Sequence, residues 1–180
     1  EYVRINDVQL SFTAREIIAG MGADAAPALR DALKHQAQDP VVASFILSML
    51  GDLQDEGNRE SFLPFLQSED GMVRTAAMRG ISRLPNGISP QTLIPFAADR
   101  WPSVRKFCAV VLGRSREAEA LKTLTRMLGD DHYAVRFAAF ESLRDKVTEA
   151  GPYLREMIHR PEGFPAYARE LAKDLVAGTS

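Results

Sequence analysis

The 180-residue chain has very few of the residues that cross-link small proteins or bind metals. It contains one cysteine, Cys108, so no internal disulfide can form. A chain of this length buries enough apolar surface to fold without such cross-links. Because free cysteine behaves as a small apolar residue, we predict that Cys108 is a buried structural thiol. The lack of disulfides slightly favours a reducing compartment such as the cytoplasm.

Long apolar runs and charge of one sign are missing as well. No stretch approaches the ~18 apolar residues that a membrane-spanning helix needs, and no signal peptide is recognised. The net charge is only −2 at pH 7, and 46% of the residues are hydrophobic, which is ordinary for a water-soluble protein. The chain starts at Glu1 rather than at methionine, which leaves room for an upstream segment and keeps the localisation open.

Motifs for catalysis and for cofactors are not found either. The three histidines, His35, His132 and His159, do not share a helix at the spacing of metal ligands. The sequence has no glycine-rich phosphate loop, no nucleophile elbow and no Cys-X-X-Cys. We therefore predict no catalytic residues, no metal site and no cofactor.

What the sequence does contain is a repeat with a period of 31 positions. The pair Val135-Arg136 follows Val104-Arg105 by this distance, and Val104-Arg105 follows Val73-Arg74 by the same distance. One further step back leads to Val42. A fixed period of this size indicates an architecture of stacked repeats.

The spacing of apolar residues predicts two helices in each repeat. Apolar or small residues stand four and eight positions after each of these valines, as Ala139 and Leu143 do in the last repeat, so they share a helix face with the valine. A second stripe recurs before the valine, for example at Leu124 and Leu128. Each repeat is thus a helix hairpin that buries its apolar faces only by stacking on its neighbours.

This pattern resembles the HEAT repeat, in particular the short HEAT-like repeats of phycobilin lyases. The resemblance rests on the segments that lead into the first helix of each hairpin: Asp39-Pro40-Val41-Val42, Asp70-Gly71-Met72-Val73-Arg74, Trp101-Pro102-Ser103-Val104-Arg105 and Asp131-His132-Tyr133-Ala134-Val135-Arg136. It implies an all-α protein, a right-handed α-solenoid of about five helix hairpins with a C-terminal capping helix. Such repeats serve many roles, so the resemblance indicates fold rather than function.

The repeat register predicts one domain over residues 1–180. Its repeats are expected at residues 11–38, 39–69, 70–100, 101–130 and 131–160, and its cap at 161–180. Residues 1–10 are expected to be a polar lead-in, and the first helix to run from about Phe12 to Met21 with Ile17 and Met21 in the apolar stripe. In the capping helix, we place Tyr167 at the position of the repeat valine.

Two local features of the helices follow from single residues. Asp24 is expected to cap the second helix of the first repeat. Pro64 and Pro95 both fall inside second helices, which we expect to be kinked or shortened because proline lacks a backbone N–H. Two interpretations stay open for these prolines, a widened binding groove and an adjustment of repeat curvature.

The recurring arginines Arg74, Arg105 and Arg136 are interpreted as structural. In HEAT-like repeats the arginine after the valine commonly forms a ladder with acidic residues of the inter-repeat turns. The acids available for such a ladder here are Asp39, Asp70, Asp99 and Asp131. Trp101, in one of these turns, is expected to pack as a lid over the adjoining helices rather than to stack on a ligand.

The positive charge is concentrated in the middle of the chain. Between Val73 and Arg116 stand eight basic residues and one acid, which leaves 14 of the 22 basic and 23 of the 24 acidic residues elsewhere. Such asymmetry suggests either a surface for an anionic partner or a solvent-exposed basic face that pairs with neighbouring acidic residues. Four arginines near the turns between helices form the predicted partner-binding edge: Arg79, Arg83, Arg114 and Arg116.

These observations predict a non-enzymatic protein-interaction or scaffold module. It would bind another protein, with an acidic segment fitting best, on a concave face lined by the second helices or on the basic turn edge. We expect no membrane contact, and a chain that is monomeric or part of a larger one. The alternatives are a relative or subunit of a HEAT-like enzyme, of the phycobilin lyase or DNA glycosylase type, and an anion or nucleic-acid binder. A chain of charge −2 matches the broadly basic concave face of those glycosylases poorly.

Overall fold

The computed structural model describes residues 2–86, 88–160 and 162–178, with side chains described from residue 12 onward. Within these ranges the chain forms helices and turns and no strand. The α-helices up to residue 86 are α1 (Tyr2–Met21), α2 (Ala26–Gln36), α3 (Pro40–Asp52), α4 (Arg59–Phe62) and α5 (Gly71–Ile81). Those beyond it are α6 (Pro90–Leu93), α7 (Pro102–Leu112), α8 (Ala118–Met127), α9 (Tyr133–Leu143), α10 (Val147–His159) and α11 (Ala166–Ala177). The predicted all-α repeat fold is confirmed.

The contacts between α-carbons divide the chain into two compact units, Glu1–Asn86 and Gly87–Ser180. The division falls between the two helices of the third predicted repeat. In the first unit, α3 packs against α5 and α2, and α1 contacts α3. In the second unit, the first helices α7, α9 and α11 contact one another in order, beside a row formed by α6, α8 and α10. The single domain and the hand of the superhelix stay predictions.

The buried positions follow the register of the repeat. Val73, Val104 and Val135 are buried, and so are the small residues four positions after them. A Cβ atom added to Gly51 would lie 2.8 Å from the Cα atom of Gly80, so α3 and α5 approach closely. Small residues on the packed face allow this approach, as the sequence pattern indicates.

Side chains at the helix starts fix where several first helices begin. The carboxylate of Asp39 accepts the N–H of Val41 at 2.9 Å and that of Val42 at 3.2 Å. Asp70 caps α5 in the same way. Such caps satisfy backbone donors that have no partner within the helix.

Proline shortens two second helices, as predicted. At Leu63 α4 passes into a 3₁₀ segment, Leu63–Gln67, and at Ile94 α6 passes into Ile94–Ala98. Each change of helix type comes one residue before a proline, whose missing N–H ends the α-helical hydrogen-bonding pattern.

The N-terminal helix differs from its prediction. It begins at Tyr2 rather than near Phe12, so the predicted polar lead-in is helical. Ile17 and Met21 are 60% and 50% exposed, whereas Arg15 donates a hydrogen bond to Asp52 of α3. The 31-residue period agrees with this result, because Arg15 is the counterpart of the buried Ile46.

Two smaller predictions on helix ends are also wrong. Asp24 lies inside a 3₁₀ segment, Gly22–Ala25, and α2 has no side-chain cap. Gly22 has φ +57°, so glycine ends α1 in a conformation that other residues rarely adopt. In the fifth repeat the sequence predicts a second helix over Pro152–Ile158, whereas α10 begins at Val147 and has Pro152 inside it.

The capping helix is rotated relative to its prediction. Ala168, Ala172 and Leu175 form the buried stripe of α11. Tyr167, predicted at the position of the buried valine, is instead 43% exposed. The register slips by two positions in α11 rather than by one, which turns Tyr167 away from the core.

Candidate functional site

Arg105, on α7, is held by hydrogen bonds to two successive inter-repeat turns. Its Nε and Nη2 atoms donate to the two carboxylate oxygens of Asp130 at 2.6 and 2.8 Å, and Nη2 also donates to Asp131 at 2.7 Å. Its Nη1 donates to the carbonyl of Asp99 at 2.8 Å. The bond to Asp130 raises the pKa of Arg105. Burial acts to raise the pKa of Asp130, but the hydrogen bonds from Arg105 and from the His132 N–H outweigh it and lower that pKa.

The other two ladder arginines bind backbone carbonyls. Arg74, only 7% exposed, donates through Nη1 to the carbonyls of Ser68 and Glu69 at 2.8 and 2.9 Å. Arg136 donates to the carbonyls of Asp130 and Asp131 at 2.9 and 3.0 Å. Asp39 and Asp70 use their carboxylates as helix caps, so the acidic ladder expected from the resemblance is formed only in part. The arginines hold the turns, in agreement with a structural role.

Arg79 and Arg83, the predicted partner-binding residues of the first unit, converge on a single acid. Arg83 forms an ion pair with Asp52, and the Nη2 atom of Arg79 lies 4.0 Å from the same carboxylate. Arg15 on α1 also donates to Asp52, at 3.0 Å. Asp52 is thus the shared partner of three arginines. We call these four residues the Asp52 cluster.

Arg114 and Arg116 belong to the second unit, at the turn after α7. Arg116 pairs with Glu149 and lies 3.5 Å from the carboxylate of Asp145. A backbone hydrogen bond and the guanidinium of Arg116 lower the pKa of Glu149. Arg116 therefore takes part in an intramolecular ion pair. The partner-binding edge of four arginines stays a prediction.

Cys108 and Trp101 are both near the start of the fourth repeat. Cys108 is fully buried, its Sγ atom lies 3.3 Å from the carbonyl oxygen of Leu93, and burial raises the pKa of its thiol to about 12. The prediction of a structural thiol is confirmed. Trp101 is 40% exposed and directly precedes α7, so it is covered only in part.

An aromatic groove lies between α9 and α11, within the second unit. Its volume is about 520 Å³. The residues that line it combine aromatic and aliphatic side chains with acids and one arginine: Tyr133, Arg136, Phe137, Phe140, Glu141, Tyr167, Glu170, Leu171 and Asp174. We call this surface the α9–α11 groove.

The aromatic rings of the groove are ordered by contacts with each other and with Arg136. The rings of Tyr133 and Phe137 stack with centroids 6.0 Å apart and planes inclined by 27°. The guanidinium carbon of Arg136 lies 4.8 Å from the ring centre of Tyr167 and 5.8 Å from that of Tyr133. The Tyr167 hydroxyl donates to the carbonyl of Gly129 at 3.1 Å. Tyr133 and Phe137 nevertheless remain 69% and 52% exposed.

The spacing of the aromatic residues along α9 places their rings outside the core. Residues 133, 137 and 140 follow helical spacing, and they lie away from the buried stripe of Val135, Ala139 and Leu143. The equivalent residues of the fourth repeat are Pro102, Lys106 and Ala109, and those of the third repeat are Gly71, Thr75 and Met78. An aromatic stripe in one repeat only is the signal that could have revealed the groove and that our sequence analysis missed.

Carboxylates form a rim along the groove. Glu141 pairs with Arg144 at 3.0 Å and Glu170 with Lys173 at 2.8 Å, and both pairs are exposed and local in sequence. Asp174 has no side-chain ion pair within the part of the chain that the structure describes. Exposed pairs of this kind contribute little to stability, so the rim acids can change partners at little cost.

A second groove lies on the second-helix side of the first unit. It has a volume of about 360 Å³ between α2 and the helix that contains Pro64. Arg30, Lys34 and Glu60 stand around it, and Phe65 contributes an apolar wall. Pro64 itself lines the groove.

The described part of the chain holds no group of three or more His, Cys, Asp or Glu side chains placed to bind a metal ion. None of its helices combines the length and the apolar character that crossing a membrane requires.

The helix hairpins and their surface grooves define an α-helical repeat protein. Residues 90–172, which run from α6 into α11, match the family model described as HEAT repeats. Among solved structures it resembles an engineered protein determined by the Northeast Structural Genomics Consortium, with a TM-score of 0.61 and 15% identity over 91% of this chain and 83% of that one. That likeness shows the fold alone. No curated protein matches the chain.

Proposed function

We propose that the chain is a non-enzymatic interaction module that holds a segment of a partner protein in the α9–α11 groove. The proposal rests on one observation: Tyr133, Phe137 and Tyr167 are 43–69% exposed and line the same groove. HEAT repeats generally mediate protein interactions, and the groove residues other than Asp174 lie in the part of the chain that matches them.

Exposed aromatic rings favour binding for an energetic reason. Full burial of one large apolar side chain yields roughly 1.5–3 kcal/mol, and aromatic residues are frequent anchors at the centres of interfaces. The stacking of Tyr133 on Phe137 and the hydrogen bond of Tyr167 hold the rings in place before a partner binds. Less ordering entropy is then lost on association.

The residues of the groove support binding rather than catalysis. They include no histidine, cysteine or serine, and hence no pair of a nucleophile with an imidazole base. Arg136 is engaged by two carbonyls and two rings.

Affinity capture with matched variants tests this function. Wild-type protein, the double variant Tyr133→Ala/Phe137→Ala and the control Phe12→Ala would be used to capture proteins from the source organism. Phe12 is an aromatic residue on a helix of the first unit and is 61% exposed. Its replacement by alanine also removes an exposed aromatic ring, but at a position outside the groove. We expect a partner that is retained by wild type and by the control and lost with the double variant. Equal retention by all three proteins would refute the groove as the docking site.

The Asp52 cluster is a second candidate surface, for an anionic segment. Three arginines surround one carboxylate there, so the cluster keeps an excess of positive charge. An acidic peptide could form charge-assisted hydrogen bonds with the guanidinium groups, and so could a nucleic-acid phosphate. Titration with a fluorescent glutamate-rich peptide and with a single-stranded oligonucleotide distinguishes these ligands. Binding of neither at low salt would leave the cluster a purely structural feature.

A further inference from the structure

We infer that the occupant of the α9–α11 groove is a cationic protein segment, in which a lysine or arginine side chain stands next to apolar side chains. This inference rests on the proposed function and names the chemistry of its partner. The groove offers aromatic faces and carboxylates within one lined surface, and both favour a cation that has an apolar stem.

The charge of the groove is the first argument. Three carboxylates line it, those of Glu141, Glu170 and Asp174, against the single guanidinium of Arg136. Glu141 belongs to α9, and Glu170 and Asp174 belong to α11, so both helices of the groove carry carboxylates. An anionic segment would be repelled by the acids of both helices, whereas a cationic one can pair with the acids of either.

The availability of these acids is the second argument. The present partners of Glu141 and Glu170 are Arg144 and Lys173, three residues away on the same stretch of chain. An incoming cation can replace them, because such exposed local pairs are weak. Asp174 has no such partner among the described side chains and is open to an incoming charge.

Arg136 shows that these rings accept a cation. Its guanidinium lies over Tyr167 at 4.8 Å while its Nη1 atom donates to two carbonyls. The rings of Tyr133 and Phe137 keep large exposed surfaces. A lysine or arginine from a partner can therefore lie over these rings and reach the rim carboxylates with its charged end.

The apolar part of the segment follows from the floor of the groove. Phe140 and Leu171 line it from α9 and α11 and are only half-buried. An aliphatic or aromatic side chain beside the cation would cover them. A purely polar basic tail would leave this apolar surface exposed to water. We therefore infer a segment that combines basic and apolar residues rather than a polybasic one.

A random peptide library displayed on phage, selected on the full chain, tests the inference. Each selected peptide would be measured against wild type and against Tyr133→Ala/Phe137→Ala, to find peptides that need the groove. Those peptides would then be measured against Glu170→Gln/Asp174→Asn and against the control Glu119→Gln/Glu162→Gln. The control removes the same charge from two exposed acids outside the groove.

We expect groove-dependent peptides that combine lysine or arginine with apolar residues. Their affinity should fall about tenfold in Glu170→Gln/Asp174→Asn, stay near wild type in the control, and weaken as salt is raised. Groove-dependent peptides that are neutral or acidic and insensitive to the rim variant would overturn the inference and leave the proposed function intact. A library without any groove-dependent binder, or a wild-type chain that dimerises through the groove in sedimentation experiments, would overturn both.

Discussion

The ring of Phe62 occupies the space that any side chain on Gly80 would need. Phe62, on α4, is fully buried, and its Cδ1, Cε1 and Cζ atoms would all overlap a Cβ atom placed on Gly80. Gly80 lies within α5, where glycine is otherwise an unfavourable residue. The close packing of a ring against backbone explains why glycine stands at this helical position.

Gly80→Ala should therefore destabilise the protein although alanine favours helices. Overpacking against Phe62 is expected to cost roughly 1–3 kcal/mol, less the helix-propensity gain of up to about 1 kcal/mol. Gly20→Ala is the control, because a Cβ atom there meets no atom within 4 Å. Urea unfolding of both variants should show a loss for Gly80→Ala and no loss for Gly20→Ala. Similar midpoints would contradict this packing.

Ala139→Leu tests the middle of the packed face of α9. Ala139 is fully buried, so the larger side chain should cost roughly 1–3 kcal/mol. Ala118→Leu, at an exposed helical position of α8, provides the comparison and should change stability little. If urea unfolding finds Ala139→Leu as stable as wild type, the repeat register is wrong in this hairpin.

The pair of Asp130 with Arg105 should make stability depend on pH. The pKa of Asp130 is lowered in the folded state, so its contribution is fully present above the unfolded pKa of about 3.9 and is lost as pH falls through the folded pKa. At neutral pH Asp130→Asn should cost about 1–3 kcal/mol, since it weakens the partner of a largely buried guanidinium.

The free energy of unfolding, measured from pH 7 down to about pH 2, checks both the effect of the variant and its pH dependence. The difference in this free energy between wild type and Asp130→Asn should shrink on acidification. Asp131→Asn is the matched control: its carboxylate binds the same arginine, but its side chain is 90% exposed. Asp131→Asn should lower the free energy of unfolding by less than about 1 kcal/mol. If the free energies of unfolding of wild type and Asp130→Asn differ by the same amount at every pH, stability is not coupled to protonation of Asp130.

The predicted basic edge yields a test with the double variant Arg83→Glu/Arg114→Glu. Binding of an acidic partner should weaken and become less sensitive to salt. Arg83 pairs with Asp52, so a glutamate at this position would repel that acid, and a modest loss of stability is expected together with the loss of binding. The variant Arg83→Gln/Arg114→Gln separates the two effects. Unchanged affinity of both folded variants at low salt would exclude this edge.

The sequence predicted those features of the fold that depend on local spacing. The bounds of α7 and α9 agree with the repeat register, and the shortened helices at Pro64 and Pro95 follow from the chemistry of proline. The start of α1 was missed because residues 1–10 precede the first repeat, although Ile5, Val8 and Phe12 stand at helical spacing. Local spacing therefore sufficed wherever the repeat is regular.

The groove was not predicted because it depends on how two helices lie side by side. The assumed slip of one residue in α11 placed Tyr167 in the core, whereas Ala168 takes that place. Tyr167 and Leu171 consequently turn towards Phe137 and complete the groove. The choice between a slip of one and of two residues is made by packing against α10 and α9, which no local pattern encodes.

A photo-cross-linking residue placed in the groove tests the central claim most directly. p-Benzoylphenylalanine in place of Phe137 would report proteins that contact the groove, and the same residue in place of Trp101, 40% exposed in the same unit, would report contacts outside it. On irradiation in cells of the source organism, we expect a discrete protein adduct from position 137 that is absent from position 101, with the cross-link mapping to a segment rich in basic and apolar residues. No adduct from position 137, or the same adducts from both positions, would contradict the account.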